Sequence, residues 1–219
     1  MSANMSVAVA QSALVVAAQA LVGAGFGAML RECDTACEVD AACDADSALA
    51  LARLHRPALL VCEYDLPGVS GGEVARKLLK ENPSLPVLMV IDTRLSYLIR
   101  QLIASGVRGF ITRQSSAGEF RDALAAVRRG ERYMAPALAT SMAFRDENHG
   151  SSPFHALSGR EMEIVRLILS GRRNQEIAQV LYISDKTVST YRARALAKLG
   201  VRSTAELTMA AMRDGVISA

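Results

Sequence analysis

The chain of 219 residues contains no tryptophan, and only five tyrosines and five phenylalanines. A core must therefore be filled by Leu, Val, Ile, Ala and Met, and a hydrophobic content of 51% supplies them. Reactive side chains are equally scarce. His55, His149 and His155 lie in polar stretches with no nucleophile or metal-spaced partner. The four cysteines, Cys33, Cys37, Cys43 and Cys62, are spaced in a way that fits no zinc signature. No metal, no cofactor and no catalysis are expected. Reduced thiols in a cytoplasmic protein are the default, with a redox role for Cys33 and Cys37 as the alternative. Residues 7–30 carry no charge, yet no basic n-region precedes them and no cleavage signal follows. Gln11, Ser12 and Gln19 interrupt the run, so it reads as a lead-in, a strand and a helix, not a membrane span.

A large charge imbalance is also missing, since the net charge is +3. What imbalance there is lies in one half. Residues 1–147 hold 15 Lys/Arg against 16 Asp/Glu, a balance of −1, and residues 148–219 hold 10 against 6, a balance of +4. The second half is the better candidate for binding a polyanion.

Strand-like and helix-like segments alternate from about residue 13 to 130. Strands are expected at 13–16, 38–42, 58–62, 86–91 and 109–112, and helices at 21–31, 46–54, 72–82, 96–104 and 116–129. Asp46 or Ser47 is expected to cap the second helix. Nearly continuous apolar strands alternating with helices predict a five-stranded parallel sheet covered on both faces. Ligands of such a sheet sit beyond the carboxyl ends of its strands.

At those ends, Leu-Leu-Val-Cys-Glu63-Tyr-Asp-Leu-Pro67-Gly68, the pair Gly71-Gly72, and Ala104-Ser-Gly106-Val-Arg-Gly109-Phe-Ile-Thr-Arg113 resemble the receiver domain of response regulators, which is flavodoxin-like. The resemblance implies two strand-1 acids that hold Mg²⁺ and a strand-3 aspartate that accepts phosphate. It also implies a strand-4 hydroxyl and a lysine after strand 5. This sequence has Ala17 and Ala18 for the acids, Glu63 for the aspartate, Ile91 for the hydroxyl and Arg113 for the lysine. Two alanines offer Mg²⁺ no oxygen. Without the ion, a transferring phosphoryl group loses its main stabiliser. The expectation is a degenerate pocket in which Glu63 pairs with Arg113 through parallel N–H bonds. Glu63 could also imitate a phosphorylated residue, or the emptied pocket could take an unknown protein or ligand.

Pro136 favours a short helix start, and residues 144–154 read as a polar boundary. Domains are therefore expected at 1–130 and 154–219, joined by a linker at 131–153. The second domain reads as all-α, with four helices. Ser158 and Glu161 form a capping box, as do Ser203 and Glu206. Asn174 and Ser184 are placed as caps for the two helices between. Met162, Val165, Ile177, Leu181, Val188, Ala195, Leu199, Leu207, Met209 and Met212 supply the apolar face. A short helix, a tight turn and a capped helix make a helix-turn-helix. The pattern from Leu157-Ser-Gly-Arg-Glu161 through Ile183-Ser-Asp-Lys-Thr-Val-Ser-Thr-Tyr191 to Lys198-Leu resembles the LuxR-type DNA-binding domain. Together the two resemblances point to a NarL/LuxR-type response regulator.

That resemblance implies double-stranded DNA as partner and a homodimer paired through the last helix. It places Ser189, Thr190 and Ala193 toward the major groove. Lys186, Thr187, Tyr191, Arg192 and Arg194 are placed for phosphate or adjacent contacts, and Arg172, Arg173 and Asn174 are set to meet the backbone. The leading reading is a transcription regulator acting without phosphorylation. The alternative is a pseudo-receiver interaction module in which DNA is secondary.

Overall fold

The computed structural model describes residues 12–67, 69–148, 153–214 and 216–217; for residues 144–148, 155 and 159 only the backbone is considered. The first half is one parallel sheet in the order β2-β1-β3-β4-β5-β6. Its strands are β1 Ser12–Val16, β2 Glu38–Ala42, β3 Leu59–Glu63, β4 Val87–Val90, β5 Gly109–Ile111 and β6 Tyr133–Met134. Helices α1 Ala20–Cys33, α2 Ala45–His55, α3 Gly71–Glu81, α4 Ile99–Ala104 and α5 Ala117–Arg128 cross between them. A 3-10 turn, Thr93–Leu98, leads into α4, so the fourth expected helix begins as a tighter coil. The inner strands β1, β3, β4 and β5 are buried through both faces, as their apolar runs require: Leu14, Val15, Leu60, Val61, Leu88, Met89 and Phe110 are all at most 1% exposed. Phe26 of α1 stacks on Phe120 of α5 at 5.9 Å between ring centroids.

Three expectations need correction. The sheet has six strands, not five. β6 pairs with β5 through Gly109–Tyr133 and Phe110–Met134, so the expected linker begins inside the sheet. The short helix starts at Pro136 as expected but runs on to Asn148, into the supposed boundary. This helix, α6, is held on the 3-10 turn by Ser141, whose hydroxyl donates to the Thr93 carbonyl at 3.0 Å, and by the buried Leu138. The cap of α2 also differs. Asp44, with extended backbone, accepts from the Ser47 amide at 2.8 Å, in place of Asp46 or Ser47.

One close approach shapes the end of β3. A side chain at Gly71 would put its Cβ 1.9 Å from the Glu63 carbonyl oxygen, so only glycine lets α3 start against that strand.

The second half has four helices: α7 Gly159–Leu169, α8 Asn174–Leu181, α9 Asp185–Leu199 and α10 Thr204–Arg213. Phe154, Met162, Ile164, Val165, Ile177, Val188, Ala195, Leu207 and Ala211 form their core with no solvent exposure. Met209 and Met212, expected to face inward, are 72% and 45% exposed, because Leu207, Ala210 and Ala211 already fill that side of α10. Among the described residues no helix is long and apolar enough to cross a membrane, and residues 7–11 of the uncharged run lie outside them.

Candidate nucleic-acid interface

Helix α9 begins where Ser184 Oγ accepts from the Thr187 amide at 3.1 Å. Tyr182, in the left-handed region at φ 51°, reverses the chain from α8. Val188, Ala195 and Leu199 are buried, and helical spacing turns residues 186, 189, 190, 193 and 194 outward. Lys186, Ser189, Thr190, Ala193 and Arg194 are indeed all exposed and share one face. A stripe of short side chains edged by two cations can enter a major groove about 12 Å wide. Arg172 and Arg173, at the start of α8, are exposed beside it. Arg173, not Asn174, is the residue before the first turn of α8, and its amide donates to Glu176 Oε2 at 2.8 Å.

Other site residues make contacts within the fold. Thr187 is half-buried, its hydroxyl 2.7 Å from that of Ser184. Tyr191 is half-buried, within electrostatic reach of Arg76 of α3. Arg192 is turned into the fold, where it donates to Asn174 Oδ1 at 3.1 Å and to Thr204 Oγ1 at 2.9 Å. Asn174 Nδ2 in turn donates to Ser189 Oγ at 3.2 Å. This network ties α8, α9 and α10 together. Spacing accounts for this: Arg192 lies four residues after Val188 and three before Ala195, on the flank of the buried stripe. Lys198, although exposed, ion-pairs at 2.7 Å with the buried Glu161.

The first half brings Ala17, Ala18, Glu63, Ile91 and Arg113 to one end of the sheet. Register explains it: Val16 pairs with Cys62, Glu63 with Val90, and Val90 with Ile111. Glu63 is only 1% exposed. One of its oxygens accepts from Arg113 Nε at 2.5 Å, the other from the Ala18 amide at 2.9 Å. The pairing with Arg113 is monodentate by these contacts, and Glu63 is more deeply buried than a partly exposed acid. Ile91, at 2% exposure, offers no polar atom there. Asp92 turns to Arg94, which holds its carboxyl below the usual carboxylate range. A cavity of about 120 Å³ remains between Asp65, Asp92, Arg94 and Arg113.

The two halves meet beside that cavity. Arg166 of α7 ion-pairs with Asp65 and lies over the Tyr64 ring. Gln101 Nε2 donates to the Leu157 carbonyl, the Tyr97 hydroxyl to Met162 Sδ at 3.8 Å, and the Tyr182 hydroxyl to Asp46 at 3.4 Å. Glu163 is buried at this seam; burial pushes its carboxyl up, although Arg160 sits 2.6 Å away. None of these contacts involves the exposed face of α9.

The remaining candidates carry no such geometry. His55 Nδ1 lies 2.6 Å from Asp40 Oδ2, within hydrogen-bond distance, and His149 lies outside the described residues. All four cysteines are free. Burial raises the Cys37 thiol pKa, away from a reactive thiolate.

Comparison with known proteins agrees with this architecture. Residues 13–125 match the family described as response regulator receiver domain, and residues 155–211 match the bacterial regulatory proteins of the luxR family. The response regulator GacA of Pseudomonas protegens is 34% identical over 207 residues, covering 94% of this chain and 97% of that protein. The response regulator UvrY of Escherichia coli K12 is 29% identical over 208 residues, covering 94% and 95%. Among solved structures, RcsB from Salmonella enterica serovar Typhimurium, bound to promoter P1flhDC in the presence of phosphomimetic BeF3−, superposes with a TM-score of 0.69. It is 20% identical, with 92% of this chain and 98% of that one covered. The parallel-sheet half, the four-helix half and full-length relatives above 30% identity lead to one conclusion: this chain belongs to the LuxR-family response regulators.

Proposed function

We propose that this protein is a sequence-specific DNA-binding transcription regulator whose receiver half, residues 1–130, works without aspartyl phosphorylation. Residues 131–153 join it to a DNA-binding half at 154–219. The observation that carries the reading is the double hold on Glu63. Its carboxylate lies between the Ala18 amide and Arg113, in the space where the family's acids hold Mg²⁺. Alanines at 17 and 18 give a metal no side-chain oxygen at those two positions, and isoleucine at 91 gives a phosphoryl oxygen no hydroxyl.

The DNA part rests on the exposed face of α9, with Lys186, Ser189, Thr190, Ala193 and Arg194 free of the interdomain contacts. RcsB structures bound to DNA, one described as two RcsB dimers on two parallel DNAs, support the same use of this fold. Exposed Met209 and Met212 on α10 support a homodimer that reads a palindrome. The protein acts in the cytoplasm and performs no catalysis.

The test is a gel-shift titration of the unmodified protein on genomic fragments, with and without acetyl phosphate. Equal affinity in both arms is expected. Binding that requires the donor overturns the phosphorylation-independent reading. A second reading, an interaction module in which DNA is secondary, draws on the polar cavity beside Glu63, which leaves room for a small ligand in place of phosphate.

A further inference from the structure

The hydrogen bonds around α9 set the direction of two hydroxyl groups on its exposed face. Arg192 has only donors, so the oxygen of the Asn174 amide must face it; the two lie 3.1 Å apart. The Asn174 nitrogen is thereby aimed at Ser189 Oγ, 3.2 Å away, and an N–H there can only donate. Ser189 Oγ accepts this bond. Its own proton has no acceptor among the described residues, which leaves it to be donated to whatever faces α9.

Thr190, one residue on, is arranged the opposite way. Its hydroxyl donates to the Lys186 carbonyl at 2.9 Å, within its own helix. What remains outward is the lone-pair side of Oγ1 and the methyl group.

We propose that this network makes Ser189 an outward hydrogen-bond donor and Thr190 an outward acceptor, so that adjacent positions on α9 read opposite base edges. Ser189 selects a major-groove acceptor: guanine O6 or N7, adenine N7, or thymine O4. Thr190 selects an amino group, cytosine N4 or adenine N6, or packs its methyl against thymine. Asn174 and Arg192 are then positioning residues that touch no base. They act by occupying one of the two Ser189 lone pairs, which biases the outward side of the hydroxyl toward its proton. The inference rests on the DNA-binding reading above and deepens it.

The test uses the full-length protein. A bound site is first selected from a randomised duplex library, and every base pair within it is then varied while affinity is read by fluorescence anisotropy. Ser189→Ala should lose about fivefold to tenfold of discrimination at one base pair. Asn174→Asp is the decisive variant. One carboxylate oxygen keeps Arg192, and the other takes the Ser189 proton, turning the outward side of Oγ into an acceptor. The preferred base at the Ser189 position should switch from one presenting an acceptor to one presenting an amino group. Asn174→Ala, which frees the hydroxyl, should bind both classes within about twofold. Each variant is checked for an unchanged thermal transition.

If Asn174→Asp weakens every sequence alike while Ser189→Ala still changes one position, the relay is wrong and Ser189 acts alone. If neither variant changes any preference, Ser189 reads no base. Failure of the unsubstituted protein to select any site overturns the DNA-binding reading itself, a result distinct from both.

Discussion

Arg166 of α7 lies over the ring of Tyr64, its guanidinium carbon 5.2 Å from the ring centroid, while its nitrogens pair with Asp65 next in sequence. One side chain of the DNA-binding half thus grips two consecutive residues at the mouth of the receiver cavity. Both Arg166 and Asp65 retain solvent contact, at 32% and 47% exposure, so the pair is partly screened. Arg166→Ala should weaken docking by about 1 kcal/mol. Small-angle scattering would register a larger radius of gyration, and amide exchange would rise in α7 and in the loop after β3. An unchanged scattering curve and exchange pattern would show that the grip contributes nothing.

Glu63 and Arg113 allow a sharper stability test. Arg113→Ala leaves one oxygen of a fully buried carboxylate without its donor, and should cost about 2 kcal/mol in urea unfolding. Arg94→Ala removes an exposed guanidinium from the more exposed Asp92 and should cost clearly less than that. Equal losses would mean that burial of Glu63 does not strengthen its dependence on a partner.

Within the four-helix half, Arg192 and Arg194 differ by two positions and should differ in kind. Arg192→Ala breaks the bonds to Asn174 and Thr204 and should lower stability by about 1–2 kcal/mol. Arg194→Ala, on the exposed face, should leave the thermal transition in place. It should instead flatten the salt dependence of DNA binding by about one unit of slope, equally for all sequences. Chemical denaturation and anisotropy on the same two variants separate these effects.

Glu163 gives the protein a pH-dependent seam. Burial raises its folded carboxyl pKa above the ordinary value. The stabilisation from its protonated form is therefore fully present below the unfolded pKa and is lost as pH rises through the folded one. Stability of the docked pair should fall as pH rises above the ordinary carboxyl range. Glu163→Gln should flatten that part of the profile, measured as melting temperature at intervals from pH 4 to 8.

Much of this was legible in the sequence because local chemistry carried it. Buried strands announced themselves as apolar runs. Ser158, Ser184 and Ser203 were caps where an oxygen-bearing residue met a helix start. Ala17, Ala18, Glu63, Ile91 and Arg113 could be brought to one end of the sheet by counting strands. What escaped depended on longer reach or on backbone detail. β6 is two residues at an edge, too short for any period to show. Asp44, Asp46 and Ser47 all carry a capping oxygen, and the extended backbone of Asp44 alone decides among them. Arg192 finds partners 18 and 12 residues away, and Arg166 finds Asp65 across 101. The outward turn of Met209 and Met212 follows from how little room Ala210 and Ala211 leave to fill.

The double hold on Glu63 also bears on time. A phosphoryl group on an aspartate is added and hydrolysed, so it records a recent event and then forgets it. A glutamate fixed between an amide and a guanidinium has no such lifetime. Under the proposed function its condition is written when the chain is synthesised and erased only when the chain is degraded. A cell using this protein would adjust how much of it exists, and the promoter that makes it becomes the sensor.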